Sequence, residues 1–170
     1  MTIRYTVSPG GPALVFSAAV LATFDRYRQL SLQEKEAGGQ LFAQFDGADT
    51  IILEASPPKW LDRRSRNGFV PNRWIQQREI RERYARRLHF VGDWHTHPEP
   101  IPRPSREDID GMIDCFGRSL HDLHAFVMVI AGTMPAPEGL YVAVVDRRSA
   151  KQMRLDQANQ CRIMATSGAS

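Results

Sequence analysis

His89-Phe90-Val91-Gly92-Asp93-Trp94-His95-Thr96-His97-Pro98, continued by Pro100, Pro102 and Pro104 and then by Ser105-Arg106-Glu107-Asp108, is the stretch on which the reading of this chain turns. His89 to His95 reads as a strand. The proline ladder forbids regular structure before Ser105, and Ser105 to Phe116 reads as a helix. Side chains two apart on a strand point to the same face, so His95 and His97 present two imidazoles to one point in space. Asp108, in the first turn of the helix, can swing a carboxylate back to that point once the proline loop has reversed the chain.

Outward from this stretch the chain alternates short strands with helices. Val20, Phe24, Tyr27 and Leu30 recur at helical spacing, so about Ser17 to Leu30 reads as an amphipathic helix with one buried stripe. Gln40–Phe45 and Thr50–Ala55 are β-compatible runs around the turn-forming Asp46-Gly47-Ala48-Asp49. Pro57-Pro58 ends that hairpin, and the segment to Pro71 has no periodicity and reads as a long surface loop. A second helix is expected over about Asn72 to Leu88, with Ile80, Tyr84 and Leu88 on one face. Ala125–Ala131 is a nearly continuous apolar run of the kind found in a central buried strand, and Leu140–Val145 is another strand. Lys151–Leu155 adds a short edge strand. The order predicts an α+β or mixed α/β sandwich rather than a doubly wound fold.

The chain has 170 residues, 42% hydrophobic and 24% charged. That is one globular domain, placed at residues 1–156, with a flexible tail over 157–170, and it excludes a collagen, a coiled-coil rod or a largely disordered chain. No apolar stretch is long enough to span a bilayer, and the segment before Pro12 has no signal-peptide pattern, so a cytoplasmic protein is expected. Cys115 and Cys161 are too few for a disulfide framework. From Lys59 to His89 there are ten basic residues against three acids, more than the whole chain's net charge of +3, so the remainder is acidic. Because Glu79–Arg83 and Glu82–Arg86 are favourable i,i+4 pairs, this run reads as a solvated helix face rather than a nucleic-acid surface.

Two imidazole nitrogens and one carboxylate leave a fourth tetrahedral position for water, which distinguishes a catalytic zinc from a closed structural one. Such a centre implies hydrolysis, and hydrolysis needs a proton acceptor and a donor for the oxyanion. Ser105 has a suitable hydroxyl. Glu36, in Glu36-Ala37-Gly38-Gly39, is the candidate base, with Glu34 two residues earlier as the alternative. Asp93 shares the His95 face by parity, which allows it a supporting role, whereas Trp94 faces the core. His89, His121 and His124 are also histidines of this region, but the last two fall outside the pattern.

His95-Thr96-His97-Pro98, the ten-residue gap to Asp108, Ser105-x-x-Asp108 and the upstream Glu36 resemble the JAMM motif of the JAB/MPN metallopeptidases. The resemblance implies a curved mixed β-sheet flanked by helices, a cytidine-deaminase-like fold. It also implies zinc on His95, His97 and Asp108, water activation by Glu36, and Ser105 steadying the tetrahedral intermediate. The Glu-Ala-Gly-Gly start, the Gly92–Pro100 string and the arginine-rich segment are most similar to the deconjugating peptidases of bacterial CBASS anti-phage operons. That implies a deubiquitinase-like isopeptidase acting on a protein conjugate, the C-terminal tail of a cGAS-like nucleotidyltransferase or of a ubiquitin-like protein, with a functional link to a ubiquitin-activating-like enzyme. Competing readings are a JAB protease for another ubiquitin-like or sulfur-carrier protein, a non-catalytic MPN scaffold, and a nucleic-acid module using the arginines. Taken alone, Ser105-x-x-Asp108 is a capping box; its coincidence with the histidine pair favours ligation as well.

Overall fold

Ser17 marks the point at which extended chain becomes helix. Its hydroxyl oxygen accepts the Val20 amide at 3.4 Å and caps α1 (Ala18–Arg26), which buries Val20 and Phe24. The helix closes at Tyr27, whose amide donates to Phe24 O, so Leu30 falls beyond it and is exposed rather than on the buried stripe. Polar side chains hold the chain past that point: Arg28 donates to Thr133 O at 2.6 Å, and the buried Gln29 donates to the Glu34 and Arg66 carbonyls.

The computed structural model describes residues 2–31 and 33–156; Cys161 and the predicted flexible tail lie outside them. The strands are β1 (Ile3–Thr6), β2 (Ala13–Phe16), β3 (Gly38–Asp46), β4 (Asp49–Ala55), β5 (Arg63–Ser65), β6 (Gly68–Val70), β7 (His89–Thr96), β8 (Phe126–Ala131), β9 (Leu140–Val145), β10 (Ala150–Gln152) and β11 (Arg154–Leu155). The other helices are α2 (Arg73–Tyr84) and α3 (Arg106–Arg118). Nine strands form one mixed sheet in the order β10-β9-β8-β7-β3-β4-β2-β1-β11, with β2–β4 and β7–β8 parallel. The two edge strands are neighbours in sequence, separated only by Met153, whose amide donates to Val142 O at 2.9 Å. The sheet therefore curls until its edges nearly meet. This is the mixed α+β class that the order of elements predicts, with the curved sheet that the family resemblance implies.

Several elements differ from expectation. The single edge strand Lys151–Leu155 is split, with β10 on β9 at one edge and β11 on β1 at the other. β1 and β2 are four residues each and buried on nearly every side chain, so they carry no alternation to read. Within the segment read as a loop, β5 and β6 form a separate hairpin. α2 stops at Tyr84, with Arg87 at φ 61° and the Leu88 amide bonded to Arg83 O, so Tyr84 is exposed while Leu88 is buried.

Consecutive residues of β8 point to two different cores, which explains its unbroken apolar run. Val127 and Val129 join Trp94, Phe16, Leu41 and Phe24 of α1 on one face. Phe126 and Met128 join Met112 and Phe116 of α3 on the other. On the α1 side, Asp49 ties the first strands to the sheet by accepting the Ala13 amide at 2.9 Å and the Arg4 guanidinium at 2.8 Å. The amide bond first, and Arg4 second, hold its carboxyl below the ordinary carboxylate range. A depressed folded pKa means the stabilisation is complete above the unfolded value, about 3.9, and is lost as pH falls through the folded one. Asp49→Asn is therefore expected to lower Tm at pH 7 and to cost progressively less as pH falls below 4. A Tm difference that stays constant from pH 7 to pH 2.5 would contradict this role.

Candidate metal centre

The strand parity that aligns His95 with His97 survives past the end of β7 because the His97 amide still bonds to Ala131 O, at 3.0 Å. The two Nε2 atoms are 3.2 Å apart. Asp108 Oδ1 lies 3.2 Å from His95 Nε2, and Oδ2 lies 3.4 Å from His97 Nε2. Donors around a tetrahedral ion at about 2.0–2.1 Å are separated by about 3.3–3.4 Å, so the two imidazoles and the carboxylate, which meets each of them through a different oxygen, are close enough to present one face of donors to a single ion. All three residues are only partly buried, leaving the outer side of that face open. Burial alone would raise the Asp108 carboxyl. Bonds from both imidazoles, with the Ser105 amide, instead hold it far below the usual range. Burial pulls His97 down, but the bond and charge of Asp108, joined by the charges of Glu36 and Glu99, raise the imidazole overall.

Asp108 is aimed by the helix start it helps to build. Ser105 is the N-cap of α3: its hydroxyl oxygen accepts the Asp108 amide at 3.1 Å, and Asp108 Oδ2 accepts the Ser105 amide at 2.7 Å. Capping and site geometry thus coincide in one carboxylate. The proline loop before it is pinned to the loop after β8, with the Thr133 amide on Glu99 O at 2.8 Å and the Met134 amide on Pro100 O at 3.3 Å.

Glu36 and Glu34 have separate fates. Glu34 is exposed and its carboxylate accepts the Ser31 amide at 2.9 Å. Glu36 is 7% exposed and lines the same cleft as His95, His97, Ser105 and Asp108. Burial raises its carboxyl above the usual value, against the pull of the two imidazoles. Its main chain is held from both sides by residues that no local pattern singles out. The Glu36 amide donates to Ser65 O at 2.8 Å and Arg64 Nε donates to Glu36 O at 2.6 Å, so the β5–β6 hairpin acts as a strap. Opposite it, buried Thr96, between the two histidines, accepts the Ala37 amide at 2.9 Å and donates to Gln29 Oε1 at 3.1 Å. The glycines that follow permit this closeness: a Cβ on Gly38 would strike the Phe69 ring and the Trp94 carbonyl, and one on Gly39 would overlap the Ser56 carbonyl.

The cleft has a volume of about 590 Å³ and is walled by Phe69 and Val70 of β6 and by Pro98 and Glu99. Past Gln76 and Asp93, which line both spaces, it continues into a trough of about 810 Å³ between α2 and α3. Asp93 does face this side, but it bonds to neither His95 nor His97. Burial pushes its carboxyl up to about 7, and its Oδ1 has no hydrogen-bond partner among the described residues. Trp94 is 1% exposed and packs on Phe24, in the core as expected. His89 packs between Phe45 and the edge-on ring of Tyr84, and His121 packs at a tilt against Phe116 and Phe126 while bonding to the local backbone. His124 is exposed, and Cys115 is a half-buried free thiol whose pKa burial raises. Among the described residues no helix is long and apolar enough to cross a membrane.

The sequence model of a family described as prokaryotic homologs of the JAB domain matches residues 21–151. Two relatives named "CD-NTase/cGAS isopeptidase" come from Escherichia coli (strain TW11681) and Pseudomonas aeruginosa (strain BWHPSA011 / Pa011). They are 30% identical over 103 residues and 34% identical over 98 residues, or 59% and 56% of this chain. The matched stretches span 66% and 62% of those relatives, just under two thirds of their length. A solution structure of a protein from Desulfitobacterium hafniense matches with a TM-score of 0.60 at 19% identity, covering 81% of this chain and 87% of that one. One from Salinibacter ruber matches with a TM-score of 0.53 at 18% identity, covering 83% and 89%. At these identities the two structures speak to the fold alone.

Proposed function

Since the chain belongs to the prokaryotic homologues of the JAB domain, we propose that it is a zinc-dependent isopeptidase that separates the C-terminus of a conjugated protein from its target. The observation that carries this reading is the convergence of His95, His97, Asp108 and the buried Glu36 on one open cleft. The names of the relatives support a nucleotidyltransferase of the CD-NTase/cGAS type as the conjugated protein. By the same reading the enzyme works beside a ubiquitin-activating-like enzyme that makes the conjugate, and so regulates anti-phage signalling. It does so as one catalytic domain over residues 1–156, in the cytoplasm.

His95, His97 and Asp108 would hold the zinc. Bound there, it would polarise the scissile carbonyl and bring the pKa of water toward neutrality. Glu36 takes the proton of the attacking water and returns it to the leaving amine; its raised pKa suits both halves of that task. The Ser105 hydroxyl uses a lone pair for the Asp108 amide, so its own proton is available to the oxyanion. The products are a free carboxylate and a free amine.

For the substrate tail, β6 lines the cleft and pairs, among the described strands, with β5 alone, while β5 is bonded to Glu36. An extended tail adds along β6, with backbone hydrogen bonds supplying affinity, and continues into the trough between α2 and α3. The hairpin thus grips the tail and positions the base, so its removal disturbs both.

The test is cleavage of a conjugate carrying a CD-NTase C-terminal tail joined to a lysine. Cleavage is expected with zinc, is lost on chelation and returns on adding zinc back. Undiminished cleavage in excess chelator overturns the metallopeptidase reading. Cleavage of a ubiquitin-like or sulfur-carrier conjugate, and not of this one, moves the substrate assignment to that class.

A further inference from the structure

Trp60 and Trp74 are each 87% exposed, while the third tryptophan, Trp94, is buried in the core. Neither exposed ring serves the fold, yet both stand on elements that are firmly tied together. Trp60 and Leu61 are the central residues of a turn closed by the Asp62 amide on Lys59 O at 3.1 Å. Asp62 then accepts the Lys59 amide at 2.6 Å with one oxygen and the Asn72 amide at 2.8 Å with the other. Asn72 caps α2, whose second residue is Trp74. Lys59 Nζ adds a 2.6 Å bond to Glu79 of the same helix. Turn centres ordinarily carry polar residues, glycine or proline; here a tryptophan and a leucine are held out in water on a braced support.

The surroundings specify what would cover them. Val70, 60% exposed, lines the cleft together with Pro71, and Pro71 directly precedes the Asn72 that caps α2. Arg63, Arg66 and Arg73 are exposed and make no ion pair among the described residues. The acids nearby are already engaged: Asp62 in the turn, Glu79 with Lys59 and Arg83, Glu82 with Arg78. Two exposed tryptophans on one braced support, with exposed arginines beside them in the chain that make no ion pair among the described residues, have the composition of a protein-binding hot spot. A nucleic-acid track would need a row of free cations, whereas Arg78, Arg83 and Arg86 of this segment are paired with carboxylates.

We propose that Trp60, Leu61 and Trp74, bordered by Arg63 and Arg73, dock an acidic, apolar-centred face on the folded body of the protein whose tail enters the cleft. This rests on the isopeptidase reading and adds to it a second contact, remote from the scissile bond. It makes the enzyme selective for a whole folded conjugate over a free tail.

The test compares wild type with the double variant Trp60→Ser/Trp74→Ser on two substrates: a conjugate of the intact CD-NTase, and a reporter bearing only its C-terminal tail. Circular dichroism and Tm check that the variant is folded. The expected result is a fall of roughly tenfold or more in kcat/KM for the intact conjugate, carried by KM, with the tail reporter unchanged. Equal loss on both substrates would mean that the rings shape the cleft, and no loss on either would mean that they bind nothing in this reaction; each overturns the proposal. So does loss of salt-dependent retention on single-stranded nucleic acid with conjugate cleavage intact. If wild type cleaves neither substrate, the isopeptidase reading fails, and binding of the tail-less nucleotidyltransferase decides docking separately. Binding to wild type and not to the double variant supports the site, and equal or absent binding overturns it.

Discussion

Glu36→Gln is expected to keep zinc at wild-type stoichiometry and to lose roughly 10²- to 10⁴-fold in cleavage rate, the range contributed by a positioned general base. The replacement is nearly isosteric. The main chain of Glu36 is fastened by Ser65, Arg64 and, through Ala37, by Thr96, so the side chain stays where it is and only its ability to carry a proton is removed. The three candidate ligands, His95, His97 and Asp108, are other residues, so the proposed ion should be held as before. Metal analysis of the purified variant and a single-turnover assay check both halves. Full turnover in Glu36→Gln would assign the base elsewhere. Glu34 would be the next residue to replace, although its carboxylate is turned to the Ser31 amide.

His97→Ala is expected to lose both metal and activity. Removing one of three donors leaves His95 and Asp108, too few to compete with water for the ion. It also takes from Asp108 one of the two imidazoles that hold its carboxyl ionised. The clearest readout is thermal: a ligand that binds only the folded state raises Tm with its concentration, so zinc should stabilise the wild type and Glu36→Gln alike and leave His97→Ala unmoved. A zinc-dependent Tm rise of wild-type size in His97→Ala would remove this residue from the ligand set. The two variants together separate holding the ion from using it.

The site was legible in sequence to the extent that its parts obey short periods. His95 and His97 share a face because strands repeat every two residues, and Ser105 and Asp108 meet because a capping box spans three. Gly38 and Gly39 announced a close approach, and Trp94 a core position, by the same local logic. What holds Glu36 in place was not legible. Arg64 and Ser65 lie 28 and 29 residues away from it in a segment with no periodicity, and Gln29 meets Thr96 across 67 residues. Such contacts depend on how loops close, and no spacing within a window reports them.

The division follows from the range of the forces involved. Alternation, helical stripes, turn residues and capping chemistry act between near neighbours, and they determined the helices, most strands, the mixed α+β class and the three candidate ligands from the sequence by itself. Only the tertiary structure decided that the sheet curls until β10 and β11 flank Met153, that the segment after Pro58 is a strap and not a free loop, and that Glu36 rather than Glu34 is the buried carboxylate facing the imidazoles. The sequence already favoured Glu36 through the glycines beside it, but all three outcomes are made by burial and by hydrogen bonds that exist only once distant strands have come together.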